Sequence, residues 1–372
     1  MRIDRTFLLL TSGLTWTLLG CAMPVDEKAC ATGKCDQAPL VSAQATEHGL
    51  FTCFAPELLD TQGRPGSCEP SGVILDGHDI VVVSDKEVPL KAPVFAMTYA
   101  ADKLPTATPA YFESPILSGA SKLEGITLTP DRTVLAVTAF DRPEALFNML
   151  VTWPAGHPDQ AAIVAATAGA TSSLDLRAGI QAALASPKFP TGPAYFKLEG
   201  IAAVDDQLIF GVRQIGETKE TAEFTFKMIS TSYAIANGSV TLGDSFELVY
   251  EHDLATSAEV AGHQGVGLSD VGYDPASDRL WMTTSFEDSV QLEGLGGFLW
   301  TMPVDALRTH REPSLVRDAA RAPLVFSHKP EGITVLDPTH LLVVYDDDRA
   351  LGTGAEARTQ NQAAYSVLEI AK

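Results

Sequence analysis

The chain has 372 residues, 45% of them hydrophobic, which is enough to bury a sizeable core in one large domain or two ordinary ones. Its formal charge of −21 argues against a nucleic acid or an anionic membrane surface as partner, because both would be repelled. The composition suits an exported protein, expected to be a monomer, or a protein that gathers cations.

The first 20 residues have the pattern of a lipoprotein signal peptide. Arg2 and Arg5 precede an apolar stretch, residues 7–19, that is too short and too rich in Thr and Ser to span a membrane well. It ends in Leu18-Leu19-Gly20-Cys21, which resembles a bacterial lipobox in which Cys21 takes the lipid. An ordinary secretory signal is the alternative. Both predict export, and lipidation at Cys21 predicts an anchor in the cell envelope, in the outer membrane or at the periplasmic face.

The cysteine count agrees with lipidation, because five is an odd number and using Cys21 leaves four. Four cysteines allow three connectivities in an oxidising compartment. We favour the pairs Cys30–Cys35 and Cys53–Cys68. Residues 21–47 lack periodicity and are interpreted as a disordered tether, which leaves residues 48–372 for the folded domain.

A repeated motif organises the rest of the chain. Glu124, Glu199 and Glu331 each precede Gly-Ile, and each is followed by an apolar run, a polar turn and a second apolar run. This pattern is typical of a β-hairpin. Two further copies without glutamate begin at Ser71 and Ser269, so five hairpins are predicted.

Each hairpin is followed by further strand candidates. In chain order these are residues 94–99 and 110–112, 147–153 and 194–196, 224–229 and 246–250, 297–302 and 323–326, and 365–370. The last unit lacks one strand, which residues 50–54 can supply from the other end of the domain. We therefore predict an all-β fold, a five-bladed β-propeller closed by its own termini, with Cys53–Cys68 pinning the closure.

The spacing between hairpins exceeds the roughly 40–50 residues that are usual for a propeller blade. Insertions account for this excess, above all residues 161–185, which carry a small helical pattern from Asp175 to Ala185. A sixth blade hidden in an insertion is the structural alternative.

In a propeller the first strand of each blade lines the central channel, so the five residues that start the repeats should face one axis. They are Ser71, Glu124, Glu199, Ser269 and Glu331. Two like charges 4 Å apart cost about 4 kcal/mol at an effective dielectric constant of about 20, so something must offset the glutamates.

Two features of the sequence could offset this charge. The first is Ca²⁺, which takes all-oxygen ligands of this kind. The second is a lysine two positions before each glutamate, on the same strand face: Lys122, Lys197 and Lys329. We favour Ca²⁺, and a ring of structural ion pairs stays open.

A second set of residues stands about fourteen positions after each repeat start: Asp85, Thr138, Arg213, Thr283 and Asp346. Arg213 is interpreted as a clamp for a phosphate or carboxylate, or as an ion-pair partner of Asp85, Asp141 or Asp346. Asp85 and Asp346 are candidate general bases. His252, His263 and His328 precede repeat starts and are interpreted as solvated loop residues.

The five axial residues resemble the central calcium site of the calcium-activated nucleotidases (apyrases), which are five-bladed propellers. Residues 120–350 are similar to an uncharacterised bacterial exported family, a domain of unknown function related to phytase-like and esterase-like propellers. The similarity rests on three segments: Glu199-Gly200 leading to Gly211-Val212-Arg213, Ser269-Asp270 leading to Tyr273-Asp274-Pro275, and Pro330-Glu331 leading to Asp346-Asp347-Asp348. It implies a fold and export, without an established activity.

Two functions follow from these patterns. One is a lipid-anchored, Ca²⁺-dependent phosphoester or ester hydrolase, in which Arg213 holds a small anionic ligand and Asp85 or Asp346 acts as base. The other is a non-catalytic propeller that binds a ligand or protein and has a purely structural centre.

Overall fold

The computed structural model describes residues 41–60, 62–85, 93–100, 103–287, 294–348, 350 and 357–371. Across these residues the chain forms five antiparallel sheets, and the innermost strand of each sheet contacts that of the next around a closed ring. The prediction of a five-bladed β-propeller is confirmed. Cys21, Cys30 and Cys35 lie outside the described residues.

The first strand in the chain, β1 (Ser42–Thr52), belongs to the last blade. Blades one and two follow it, and in both the strands run in chain order from the axis outward. Blade one contains β2 (Pro70–Asp76), β3 (Asp79–Ser84), β4 (Val94–Thr98) and β5 (Ala110–Tyr111). Helix α1 (Pro115–Ser118) leads to blade two, which contains β6 (Leu123–Leu128), β7 (Thr133–Thr138), β8 (Leu150–Pro154) and β9 (Ala162–Ile163). Helix α2 (Arg177–Ala183) follows within the predicted insertion.

Blades three and four each have an additional strand. Blade three contains β10 (Tyr195–Val204), β11 (Gln207–Gly216), β12 (Glu223–Ala236), β13 (Ser239–Leu242) and β14 (Glu247–His252). Strand β12 is long enough to pair with both β13 and β14. Blade four contains β15 (Gly267–Asp274), β16 (Arg279–Glu287), β17 (Leu295–Pro303), β18 (Ser314–Leu315) and β19 (Val325–Phe326), with helix α3 (Val304–Arg308) after β17.

Blade five joins the two ends of the domain. It contains β20 (Pro330–Asp337), β21 (His340–Tyr345), β22 (Gln362–Ala371) and β1. The pairing of β1 with β22 runs from Ser42 opposite Ala371 to Thr52 opposite Gln362. Residues 42–47, which the sequence assigned to the tether, are therefore part of this closing strand.

The predicted disulfide Cys53–Cys68 is present and sits beside this closure. The backbone nitrogens of both cysteines donate hydrogen bonds to the segment before β22, to the carbonyl oxygens of Asn361 and Gln360. The disulfide therefore fixes the end of the closing strand to the start of blade one.

One strand assignment from the sequence was wrong. Residues 194–196 were expected to form the outer strand of blade two, but from Tyr195 onward this segment is the beginning of β10 in blade three. The outer strand of blade two is β9, which pairs with β8 over only two positions, Val151 with Ile163 and Thr152 with Ala162. This strand lies within residues 161–185, which the sequence assigned to an insertion.

Glycines allow the inner strands to approach one another closely at the axis. A Cβ on Gly125 would lie 2.9 Å from the backbone nitrogen of Ile201, and one on Gly200 would lie 2.6 Å from that of Val271. A Cβ on Gly72 would lie 3.1 Å from the Cα atom of Gly125. The glycine after most of the repeat-starting residues is therefore required by backbone-to-backbone packing between blades.

The inner strands are largely buried, since each blade packs against its neighbours. Every residue of β7 is buried, which explains the continuous apolar runs in the sequence. Among the described residues, no helix has the length and apolar character needed to cross a membrane.

Candidate functional site

A bulge interrupts each inner strand at the start of the repeat. The pairing register shifts between Pro70 and Gly72, Leu123 and Gly125, Leu198 and Ile201, Leu268 and Asp270, and Pro330 and Gly332. A bulge leaves a residue out of the ladder and redirects its side chain. The residues at these bulges are all buried, and they are the five predicted axial residues Ser71, Glu124, Glu199, Ser269 and Glu331.

Lysines lie among the axial glutamates. The Nζ atom of Lys122 is 3.4 Å from Oε1 of Glu124, and that of Lys329 is 3.3 Å from Oε1 of Glu331. Lys197 pairs with Glu199, and its Nζ is also 3.1 Å from Oε1 of Glu124 in the preceding blade. The structure thus contains the lysine ion pairs that the sequence left as the alternative to Ca²⁺.

Arg213 joins the same network from the second strand of blade three. Its side chain is almost fully buried, and Nη1 donates hydrogen bonds of 2.6 Å to the hydroxyl groups of both Ser269 and Ser285. Its guanidinium nitrogens also lie 3.7 Å from Glu199 and 3.6 Å from Glu331. These partners differ from the three aspartates considered from the sequence, and they leave Arg213 held by protein groups on several sides.

Burial dominates the electrostatics of this network. Burial and the nearby Glu124 carboxylate together raise the pKa of Glu199 to about 8, against the opposing effect of Lys197. Burial disfavours the charged form of Lys197, but Glu124 and Glu199 outweigh it and hold its pKa well above the ordinary value. Oε2 of Glu199 makes no hydrogen bond with another described residue. Glu199 is therefore expected to carry a proton near neutral pH.

A separate acidic cluster lies between blades one and five. One carboxylate oxygen each from Glu69, Asp346 and Asp348 lies within 4.8 Å of the others. Burial raises the pKa of Asp346 well above its ordinary value, and the Asp348 carboxylate adds to this effect. Asp85 and Glu69 act on Asp346 in the same direction, so the two aspartates predicted from the sequence lie in one electrostatic cluster.

Sequence analysis missed Glu69 and Asp348, although a signal for Glu69 was present. Glu69 stands two residues before Ser71. The equivalent position before each axial glutamate holds a lysine. Blade one thus has a carboxylate where three other blades have an ammonium group. Lys329 borders the cluster, because its Nζ is 3.4 Å from Oδ2 of Asp348.

The two threonines of the second set have no common role. The hydroxyl group of Thr138 donates a 2.7 Å hydrogen bond to the carbonyl oxygen of Phe147, which ties β7 to the following loop. The hydroxyl oxygen of Thr283 is buried without a hydrogen-bond partner among the described residues.

Two of the three histidines differ from the interpretation as solvated loop residues, and the third, His263, is a half-buried loop residue. His252 and His328 are buried, and Nδ1 of His328 is 2.7 Å from Oδ2 of Asp347. The ring of His263 stacks on Phe286 with a centroid distance of 3.9 Å. Burial was not visible from the sequence because it depends on neighbouring loops and blades.

No protein-family model matches the chain, and no curated protein matches it. Similar solved structures include the PQQ-bound aldose sugar dehydrogenase of Streptomyces coelicolor, at 13% identity over 89% of this chain and 98% of that one, with a TM-score of 0.40. A DUF4221 family member from Bacteroides vulgatus has 7% identity over 89% and 99% of the chains and a TM-score of 0.40. A gluconolactonase from Xanthomonas campestris has 9% identity over 91% and 100%, with a TM-score of 0.36. Similarity at this level supports no statement about activity.

Proposed function

We propose that this protein is a lipid-anchored cell-envelope propeller that binds Ca²⁺ between blades one and five and hydrolyses a phosphoester or ester of an anionic ligand there. The observation that supports this is the approach of the Glu69, Asp346 and Asp348 carboxylate oxygens to within 4.8 Å of one another. We move the proposed Ca²⁺ from the five axial residues to this cluster, because the lysines and Arg213 already lie among the axial glutamates.

The cluster suits a hard divalent cation in both ligand type and charge. Carboxylate oxygens are the ligands that Ca²⁺ prefers. The raised pKa of Asp346 reflects burial and repulsion from Asp348, Glu69 and Asp85, and a bound cation would relieve that repulsion. Bound Ca²⁺ would supply a positive charge that polarises a phosphoryl or carbonyl oxygen of the ligand.

Three residues near the cluster have proposed roles in the reaction. Asp85 is the proposed general base, and its backbone nitrogen donates a 3.1 Å hydrogen bond to the carbonyl oxygen of Glu69, which holds it at the edge of the cluster. Lys329, between Asp348 and Glu331, would orient an anionic group of the ligand. Arg213 is a positioning residue, because it fixes Ser269 and Glu331.

The metal-binding part is tested by calorimetric titration of Ca²⁺ into the EDTA-treated full chain. We expect one Ca²⁺ per chain for the wild type and for the control Asp159→Asn, which removes an exposed carboxylate in a short 3₁₀ helix of blade two. The double variant Asp346→Asn/Asp348→Asn should bind at least tenfold more weakly. A wild-type protein that binds no Ca²⁺ would refute this part.

The catalytic part is tested with nucleotides, inositol phosphates and simple esters, each with EDTA and after Ca²⁺ is restored. Hydrolysis that disappears with EDTA and returns with Ca²⁺ would support it, and Asp85→Asn should then reduce kcat with little change in Ca²⁺ affinity. Ca²⁺ binding without hydrolysis of any compound in this panel would contradict the proposed hydrolase activity. It would leave the proposed Ca²⁺ site unaffected.

Anchoring is tested by comparing the wild type with Cys21→Ala in a bacterial host that processes lipoproteins. We expect metabolic labelling with palmitate and recovery in the membrane fraction for the wild type alone. Equal labelling of both proteins would contradict lipidation at Cys21.

A second candidate function is a non-catalytic binding propeller. The observation that favours it is that Lys122, Lys197 and Arg213 already lie beside the axial glutamates. Asp85→Asn distinguishes the two. Ligand binding without turnover in the wild type supports the binding propeller, whereas wild-type turnover that is lost in a folded Asp85→Asn variant supports the hydrolase.

A further inference from the structure

A recess on the outer edge of blades three and four has a buried histidine in its wall. The recess encloses about 400 Å³, within the roughly 300–1,000 Å³ of small-molecule sites. His252 contributes from the end of β14, Trp300 from β17, and Glu312 and Leu315 from the segment around β18. These strands lie outside the inner strands that carry the axial residues, so the recess is separate from the site described above.

His252 has an unused polar atom. Its side chain lies among aromatic rings, with centroid distances of 5.6 Å to Phe226 and 5.3 Å to Trp300, and the residue is 8% exposed. Its Nε2 atom is buried and makes no hydrogen bond with any other described residue. A buried polar atom without a hydrogen bond is unfavourable, which favours a ligand that hydrogen-bonds to it. Burial lowers the pKa of His252, so the ring is neutral near pH 7 and Nε2 can accept a hydrogen bond.

The charges around the recess define the complementary group. Glu259 is paired with Arg317, whose Nη2 is 3.0 Å from Oε1 of the carboxylate. Glu312 is exposed and forms no hydrogen bond or ion pair with another residue in the described part of the chain. A neutral acceptor in the wall and an uncompensated carboxylate near it together recognise a cation that carries an N–H donor. Leu315 and Pro313 add apolar surface for the body of such a ligand.

We propose that this recess binds a small primary ammonium ion with an apolar body, which donates an N–H to Nε2 of His252 and places its positive charge opposite Glu312. This site does not depend on the function proposed for the acidic cluster between blades one and five.

The experiment compares four probes of one shape by isothermal titration calorimetry on the full chain. Benzylamine carries a positive charge and N–H donors, and benzyltrimethylammonium carries the charge without the donors. Benzyl alcohol carries a donor without the charge, and benzoate reverses the charge. We expect benzylamine to bind at least tenfold more tightly than each of the other three probes.

Variants assign the binding to this recess. His252→Phe and Glu312→Gln should each weaken benzylamine binding at least tenfold, while Glu247→Gln, at the exposed other end of β14, should leave it unchanged. If His252→Phe fails to fold, the Glu312→Gln result and the shift of the His252 ring signals when benzylamine is added to the wild type decide the question.

Three results would overturn the proposal. They are no benzylamine binding, equal binding of all four probes, and benzylamine binding that neither folded variant changes. A water-filled surface recess with no ligand would give the first result, and His252→Phe would then raise the melting temperature because an unsatisfied polar atom is removed.

Discussion

The carboxylate of Asp270 links the inner strands of blades four and five, because Oδ2 accepts a 2.8 Å hydrogen bond from the backbone nitrogen of Ile333. Oδ1 accepts a second bond of 2.8 Å from the backbone nitrogen of Val271. Asp270 stands where the other four repeats have glycine, and Oδ1 lies only 2.7 Å from the place that a Cβ on Gly200 would occupy. One side chain thus bonds blade four to blade five and lies close to the backbone of blade three.

Asp270→Ala should lower the free energy of unfolding by about 3 kcal/mol, because it leaves two buried N–H groups without an acceptor. Asp270→Asn keeps one acceptor oxygen and should cost less. Urea denaturation measures both changes. An alanine variant as stable as the wild type would show that the link between Asp270 and Ile333 contributes nothing.

Gly125→Ala should destabilise the ring by about 1–3 kcal/mol, because the added methyl group would meet the backbone of blade three at 2.9 Å. The control is Gly262→Ala, since a Cβ there has no neighbour within 4 Å. That surface change should stay within about 0.5 kcal/mol of the wild type. Equal effects of the two substitutions in thermal unfolding would contradict close packing at the axis.

Removing the closing disulfide with Cys53→Ser/Cys68→Ser should reduce stability by about 3 kcal/mol, because the bond closes a loop over a separation of 15 residues. The double variant Cys30→Ser/Cys35→Ser is the matched control, since it leaves the Cys53–Cys68 bond intact. Thermal unfolding without reductant compares them. If only the control lost stability, the assigned role of Cys53–Cys68 would be wrong.

Arg213→Met should cost about 3–5 kcal/mol, because it removes a buried guanidinium from beside Glu199 and Glu331. Arg213→Lys keeps the charge, loses the simultaneous bonds to two serines, and should cost less. Arg311→Met, which breaks an exposed pair with Asp305, should change stability by less than about 1 kcal/mol. Chemical denaturation that ranks the three differently would contradict the structural role of Arg213.

Glu199 should make stability fall as the pH rises. Its pKa is about 8 in the folded protein against 4.5 ordinarily, so the folded state binds more protons between these values. The stability from this group is complete below pH 4.5 and is lost as the pH rises through 8. Glu199→Gln cannot lose that proton, so its unfolding free energy relative to wild type should increase from pH 5 to pH 9. The unfolding free energy of the control Glu247→Gln should follow that of the wild type at every pH. If the curve for Glu199→Gln also ran parallel to the wild-type curve, the raised pKa of Glu199 would be disproved.

The sequence by itself determined the repeat, the closure and the identity of the axial residues. Hairpin turns and apolar runs are local features, so the five inner strands could be predicted from short segments around Ser71, Glu124 and their equivalents. The closing strand followed from the one strand that the last blade lacked, and Cys53–Cys68 was one of two pairs favoured among the four remaining cysteines. The outer strands β9 and β18 were not located from the sequence, and β9 lies within residues 161–185, which had been assigned to an insertion.

Only the tertiary structure decided what the charged residues contact. Lys197 pairs with glutamates of two blades, and Arg213 donates hydrogen bonds to serines of the next blade. Glu69 lies close to Asp346, although the two residues are near opposite ends of the domain's sequence. Such contacts depend on how closely the blades approach around the axis, which short segments do not encode. Burial of His252 likewise depends on Trp300 in the neighbouring blade. The physical reason is that ion pairing and desolvation are set by distance through space, whereas strand formation is set largely along the chain.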